Sequence, residues 1–225
     1  MYLVIDLLAP DRAAAMADEL LAGDWIDGRV TAGYQSALAK RNRQLDAADP
    51  LARRLGREVV EALGSCLLFQ SAALPAAIFP PLFNRYDAGD GFGTHVDNAI
   101  RTTADQRRIR TDLSATLFLS PPDSYDGGDL VIEDGSDSRA FRLGAGQMLL
   151  YPATTLHRVA EVTRGSRIAS FFWVQSLVAD ASCRSILFDI DLAIQNLRGR
   201  LGDGDAALLA LTCAYHNLLR RWASP

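Results

Sequence analysis

The spacing of hydrophobic positions changes twice along the chain. Near the N-terminus "YLVIDLL" is a short unbroken apolar run, as expected of a buried strand. "APDRAAAMADELLAGDW" then carries helix signals, with Pro10 and Asp11 near the start, alanine and leucine through the body and Gly23 at the exit. A second helix is predicted over "DPLARRLGREVVEALGS", where Asp49 is the N-cap candidate and Pro50 takes the first helical position. Its Leu51, Leu55, Val59, Ala62 and Leu63 recur every three or four residues and make one buried stripe.

After about residue 66 the helical period is lost. Short runs rich in β-formers follow: "AAIFPPLFNRY", "GFGTHVDN", "LSATLFLS", "GDLVIED", "RAFRL", "GQMLLYP", "LHRVAEV" and "RIASFFWVQS". Turn sequences such as "DAGDG", "PPDSYDGG", "DGSDS" and "TRGS" separate them, and their glycines supply the φ > 0 conformations of tight hairpins. Eight short strands at this spacing predict a sandwich or barrel, here a double-stranded β-helix, or jelly roll. From Ala179 onward the helical period returns in "SILFDIDLAIQNLRGRLG" and "DGDAALLALTCAYHNLLRRWAS". The expected fold is mainly β with flanking helices, α+β in class. Residues 1–74 form an N-terminal helical and strand support, 75–176 the jelly-roll core, and 177–225 a small helical C-terminal region that packs on the barrel or on a partner.

Composition narrows the setting without naming a function. The 225 residues are 49% apolar and 22% charged, ordinary values for a folded globular chain. A net charge of −4 gives no general pull towards nucleic acid or anionic membranes. Cys66, Cys183 and Cys213 form no C-x-x-C pair and are too few for a disulfide framework. The N-terminus lacks a signal-peptide pattern, and no run reaches the ~20 apolar residues of a membrane span. A cytoplasmic protein is the expectation.

The chemistry is concentrated in few residues. In "GTHVDN", His95 and Asp97 stand two apart, so a strand there would put both side chains on one face. Only two other histidines exist, His157 entering the seventh strand of the eight and His216 in the C-terminal helix. Taken singly, an H-x-D pair in a glycine-rich turn is more often a surface pair. Taken with His157, it gives two histidines and one carboxylate, the facial triad of non-haem Fe(II) oxygenases with coordination positions left open. If 2-oxoglutarate chelates that iron, its far carboxylate needs a cation. Arg167, ten residues after His157 in "RGSRIASFFW", offers a planar guanidinium fork. Tyr86 and Asn84, two apart on the first barrel strand, are further candidates for binding this cosubstrate.

With these residues in place, the chain resembles the Fe(II)/2-oxoglutarate-dependent dioxygenases. The resemblance is nearest to the prolyl-hydroxylase-like branch and its bacterial PKHD-type hydroxylases. It is carried by "PPLFNRYDAGDGFGTHVDNAI", "DGGDLVIED" and "QMLLYPATTLHRVAEVTRGSRIASFFWVQS", and it runs the length of the chain. It implies that His95, Asp97 and His157 hold iron, that Arg167 binds 2-oxoglutarate, and that the reaction is iron-centred with no separate acid or base. Oxidative decarboxylation of 2-oxoglutarate would be coupled to hydroxylation, by O₂, of a peptidyl (prolyl) or small-molecule substrate, with L-ascorbate rescuing oxidised iron. The subgroup's association with iron uptake extends the expectation to a siderophore-related substrate. Asn84-x-Tyr86 resembles the cosubstrate motif of the AlkB-like demethylases, which makes nucleic-acid demethylation the alternative. The acidic charge speaks against that alternative. A non-catalytic jelly-roll iron-binding or sensing module is a second alternative, and it would not need Arg167.

The connection "NAIRTTADQRRIRTDLS" holds Arg101, Arg107, Arg108 and Arg110 directly after the iron motif, and a long loop there is a candidate lid. Arg101, Arg107 and Arg110 are accordingly candidate substrate residues, with an anionic or polar group expected nearby. Tyr125, with Ser124 and Asp126, is the candidate opposite rim. His216 is expected to be a surface or packing residue. No nucleic acid or membrane partner is expected, and the helical C-terminal region is a candidate homo-oligomer contact.

Overall fold

A computed structural model of the chain describes residues 2–31, 39–135, 137–202 and 204–224. The first apolar run is strand β1 (Leu3–Asp6), followed by α1 (Pro10–Leu21), whose proline sits in the first turn where its missing N–H costs nothing. Three short strands come next: β2 (Trp25–Asp27), β3 (Lys40–Arg41) and β4 (Arg43–Leu45). Helix α2 (Pro50–Ser65) starts as predicted, because the Asp49 carboxylate accepts the Leu51 N–H at 2.6 Å. Helix α3 (Leu67–Ala73) closes the N-terminal part.

The β region runs through β5 (Pro75–Ile78), β6 (Leu82–Asp87), β7 (Gly91–His95), β8 (Ile100–Thr102), β9 (Arg108–Arg110) and β10 (Leu113–Phe118). It continues with β11 (Asp126–Gly127), β12 (Leu130–Asp134), β13 (Asp137–Phe141) and β14 (Gln147–Pro152). The last strands are β15 (Leu156–Val159), β16 (Val162–Arg164) and β17 (Ser166–Ser176). Two helices end the chain, α4 (Ala181–Leu201) and α5 (Ala206–Trp222). Ser136 and Asp203, which fall in a predicted turn and in the predicted tail, lie outside the described residues.

Two antiparallel sheets face each other. The larger has the order β1-β14-β10-β17-β6-β4-β2, with β5 also pairing β17; the smaller has the order β13-β12-β15-β7-β3. Strands from the first fifty residues thus extend both sheets. Helices α1, α2 and α3 cover the outer face of the larger sheet, where Met16, Leu20, Leu55, Val59 and Phe69 meet Phe83, Leu117 and Phe172 in the main core. A second cluster fills the space between the sheets and includes Tyr86, Phe118, Ile132, Leu149 and Tyr151. Alternation along β6 and β17 makes this work: Asn84, Tyr86, Arg167 and Trp173 face inward while Phe83, Ile168 and Val174 face the helices. At the far end, Tyr215, Leu218 and Trp222 of α5 pack on Leu74, Val178 and Leu187. No helix among the described residues is long and apolar enough to cross a membrane.

Several predicted runs are subdivided. "AAIFPPLFNRY" breaks between β5 and β6 because Pro80 and Pro81 offer no N–H to a ladder. "LHRVAEV" is two strands, β15 and β16, with partners in different sheets. "GFGTHVDN" keeps strand geometry only to His95. The arginine-rich connection is not irregular, since its β8 and β9 pair as a hairpin with Arg101 opposite Ile109.

Candidate active site

His95 and His157 are directly opposed across the β7–β15 ladder, and their rings lie 4.3 Å apart between centroids. Asp97 follows the end of β7, so it does not share a face with His95 by strand alternation. Ser114 on β10 of the larger sheet holds it instead, donating its hydroxyl to Asp97 Oδ2 at 2.5 Å. The same Oδ2 lies 3.8 Å from His157 Nε2. Each of the three residues presents a ligand atom within 4.8 Å of the other two, the one such cluster among the described residues.

The backbone sets the state of both imidazoles. His95 Nδ1 lies 2.8 Å from the Gly93 carbonyl oxygen, and His157 Nδ1 lies 2.9 Å from that of Thr155. A carbonyl only accepts, so each Nδ1 carries a proton, and a neutral ring in this arrangement presents the lone pair of its Nε2. That is the tautomer a metal requires, fixed by the outer hydrogen bond. Burial, followed by the neighbouring His157, pushes His95 down to about 4, so it is neutral at pH 7. Phe92 stacks on His95 at 3.7 Å and limits its rotation.

Arg167 sits opposite Tyr86 in the β6–β17 ladder and is 1% exposed. None of its three guanidinium nitrogens has a hydrogen-bond partner. Its charge rests over the rings of Phe118 at 5.0 Å and Tyr86 at 5.5 Å. A buried cation with empty donors is unfavourable unless an anion completes it, so the residues present fit a carboxylate-bearing cosubstrate. Gly128 makes room for it: φ is +67°, and a Cβ there would lie 3.0 Å from Arg167 Cδ. Asn84 Oδ1 is likewise buried without a partner. Burial raises the Tyr86 phenol to about 12, which keeps it a hydroxyl. Asn84, Tyr86, His95, Asp97, His157 and Arg167 all line one cavity.

The other candidates separate. Arg101 lines the cavity, with its guanidinium 4.2 Å from the Trp173 ring centre and 5.1 Å from that of Phe79. Arg107 pairs with Asp105 at 2.7 Å on the surface and does not line the cavity. Nor does Arg110, which is tied to Asp112 at 2.7 Å and to the Ser176 carbonyl at 3.1 Å. Tyr125 is fully buried, so it forms no rim; its ring packs near Gly128 beside Arg167. Asp126 pairs with Arg164, and the Ser124 hydroxyl donates to the Pro121 carbonyl. His216 lies on α5 against Tyr215.

Sequence reasoning missed several residues of the cavity, Ser114 and Lys40 among them. Ser114 was signalled by polar positions alternating through "LSATLF", with Ser114 and Thr116 both facing inward. Lys40 gave no signal: it lies in a short basic stretch, "KRNR", that reads as surface. It is 5% exposed and lines the cavity, with Nζ 5.3 Å from the centre of Phe92 and 5.8 Å from that of Phe171.

Comparison with known proteins agrees with this geometry. Residues 81–175 match the 2OG-Fe(II) oxygenase superfamily, and residues 181–224 match the PKHD-type hydroxylase C-terminal domain. A PKHD-type hydroxylase of Bordetella pertussis is 56% identical over 220 residues, 97% of this chain and 97% of its own. One from a Caulobacter species is 53% identical over 224 residues, covering 99% of each chain. Among solved structures, a Pseudomonas putida prolyl-4-hydroxylase superposes with a TM-score of 0.52 at 19% identity, over 78% of this chain and 92% of that one. HygX from Streptomyces hygroscopicus, with nickel, 2-oxoglutarate and hygromycin B bound, gives 0.52 at 16%, over 78% and 82%. At such identities the two structures speak for the shared fold.

Proposed function

Because this chain belongs to the PKHD-type hydroxylases, enzymes that use Fe(II), 2-oxoglutarate and O₂, we propose that His95, Asp97 and His157 hold its iron and that Arg167 binds the far carboxylate of 2-oxoglutarate. Asn84 and Tyr86 complete the cosubstrate wall, and the product is a hydroxylated peptidyl or small-molecule substrate. The observation that carries this reading is the buried Arg167 guanidinium. Its donors lack partners, and it lines the same cavity as the two histidines and Asp97.

When bound, iron and 2-oxoglutarate supply the oxidising power for a C–H bond, and the protein supplies geometry. Gly93 and Thr155 carbonyls keep both imidazoles in the ligating tautomer. Ser114 holds one oxygen of Asp97, so the carboxylate is oriented before any metal arrives. Arg167 would position the cosubstrate by donating two N–H groups to its carboxylate in a fork, with its charge resting over the rings of Tyr86 and Phe118.

A prolyl substrate is in keeping with the Pseudomonas putida prolyl-4-hydroxylase, and a small-molecule one with HygX holding hygromycin B. A link to iron uptake belongs to the same proposal; metabolite profiling of a deletion strain under iron limitation tests it. Ascorbate as the rescuing reductant and a cytoplasmic location complete it, the latter in keeping with three free thiols. Self-association through α4 and α5 is proposed as well, since Leu201 and Leu209 stand half or more exposed; sedimentation of the full chain decides it.

The test of the site is anaerobic titration with Fe(II) and 2-oxoglutarate, watched for the weak visible charge-transfer band. Its absence from folded protein rules out chelation at this site.

A further inference from the structure

The cavity carries more positive charge than iron and cosubstrate require. Its charged lining, among the described residues, is Lys40, Asp97, Arg101 and Arg167 beside the two histidines. With Fe(II) and 2-oxoglutarate in place, the metal and Arg167 are balanced by Asp97 and the two carboxylates of the cosubstrate. Lys40 and Arg101 then make the lining positive. They come from different parts of the chain. Lys40 is on β3, paired with Phe92 at the edge of the smaller sheet. Arg101 is on β8, four residues beyond Asp97.

Both cations are set by aromatic rings. Lys40 Nζ lies over Phe92 and Phe171, and the Arg101 guanidinium lies over Trp173 and Phe79. Phe92, Phe171 and Trp173 themselves line the cavity. Arg167 rests on a different pair of rings, Tyr86 and Phe118. The Lys40–Arg101 group and the cosubstrate clamp thus rest on different rings. The two cations also feel each other. Burial first, and Arg101 next, push the Lys40 ammonium down to about 8. Asp97 attracts both of them and Asp27 attracts Lys40; a metal on Asp97 would take up part of that attraction, and a further anion beside the two cations is then favourable.

We propose that Lys40 and Arg101 form the substrate's recognition subsite, and that the substrate carries a carboxylate or equivalent anionic oxygen group next to a flat apolar body that packs on Phe92, Phe171 and Trp173. This rests on the reading of the cavity as the hydroxylation site. It favours an acidic substrate over a neutral prolyl segment.

Benzoate is the probe, with benzamide as its neutral counterpart, and Trp173 is the reporter at 4.2 Å from Arg101. Protein loaded anaerobically with Mn(II) and 2-oxoglutarate is titrated with each while tryptophan fluorescence is followed. Saturable quenching by benzoate is expected, with benzamide at least about tenfold weaker. Arg101→Gln and Lys40→Met should each weaken benzoate by a similar factor, and Lys40→Arg should retain it, with the fold of every variant checked by circular dichroism. Equal binding of the two probes, or variants that bind benzoate as well as the parent does, overturns the proposal. So does benzoate that competes with 2-oxoglutarate, since the cations would then serve the cosubstrate. The visible band of Fe(II) with 2-oxoglutarate is read in parallel. If the band is missing while benzoate is still selected, the hydroxylase reading fails and the anion subsite stands.

Discussion

At the scale of single residues, the site depends on side chains kept in states they would not adopt in water. His95 is the clearest. Its folded value near 4 lies below the ordinary histidine value of 6.5 because burial opposes the charged form. Between these values the unfolded chain binds a proton that the folded chain does not, so stability falls as pH drops from 6.5 towards 4 and is flat above 6.5. The loss in metal-free protein is at most about 3 kcal/mol. Urea unfolding at pH 7 and pH 4.5 should show it, and His95→Gln should flatten the difference. Gly128 is the second case. An alanine there would meet Val162 Cγ2 at 2.9 Å and Arg167 Cδ at 3.0 Å, in a left-handed conformation. We expect Gly128→Ala to destabilise the fold by about 1–3 kcal/mol. It should also weaken 2-oxoglutarate by roughly tenfold or more, about 1.4 kcal/mol, while metal binding is retained. Calorimetric titration of metal and cosubstrate separates the two effects. Gly128 was visible in the sequence only as part of a turn, because its need comes from a side chain thirty-nine residues later.

At the scale of elements, legibility follows the range of the forces involved. Helix α2 was readable because its cap and its apolar stripe are local: Asp49 accepts the Leu51 N–H, and Leu55, Val59 and Leu63 are buried together. Asp49→Ala should therefore cost about 1 kcal/mol, seen as a lower urea midpoint with unchanged 2-oxoglutarate affinity. His95, His157 and Arg167 were readable because each lies on a strand whose alternation points it inward. Asp97 was found for a partly mistaken reason, since β7 stops at His95 and a hydroxyl from the other sheet turns the carboxylate inward. Lys40 was unreadable for a related reason. Strand β3 is two residues long, too short to show a period, and only its pairing with β7 brings it to the cavity. Arg107 and Arg110 show the reverse failure. Charge density suggested a lid, but the β8–β9 hairpin and nearby carboxylates hold them elsewhere.

At the scale of the whole molecule, the cavity is a joint between two sheets. His95 and His157 belong to the smaller sheet, while Ser114 and Arg167 belong to the larger, with Asp97 reaching across. A metal on the triad would tie the loop after β7 to β15. A dicarboxylate reaching from that metal to Arg167 would tie the smaller sheet to β17. Ligands that bind only the folded state stabilise it by mass action, by about 2.7 kcal/mol at a hundred times Kd, and here they also resist separation of the layers. Thermal unfolding should therefore rise in two steps: one on adding Mn(II), and a further one on adding 2-oxoglutarate in the presence of metal. In Asp97→Ala both steps should vanish. In Arg167→Ala the first should survive and the second should shrink, although that variant relieves a buried, unpartnered charge and need not be less stable on its own. A full second step in Arg167→Ala would place the cosubstrate's far carboxylate on some other group and remove the link between β17 and the metal.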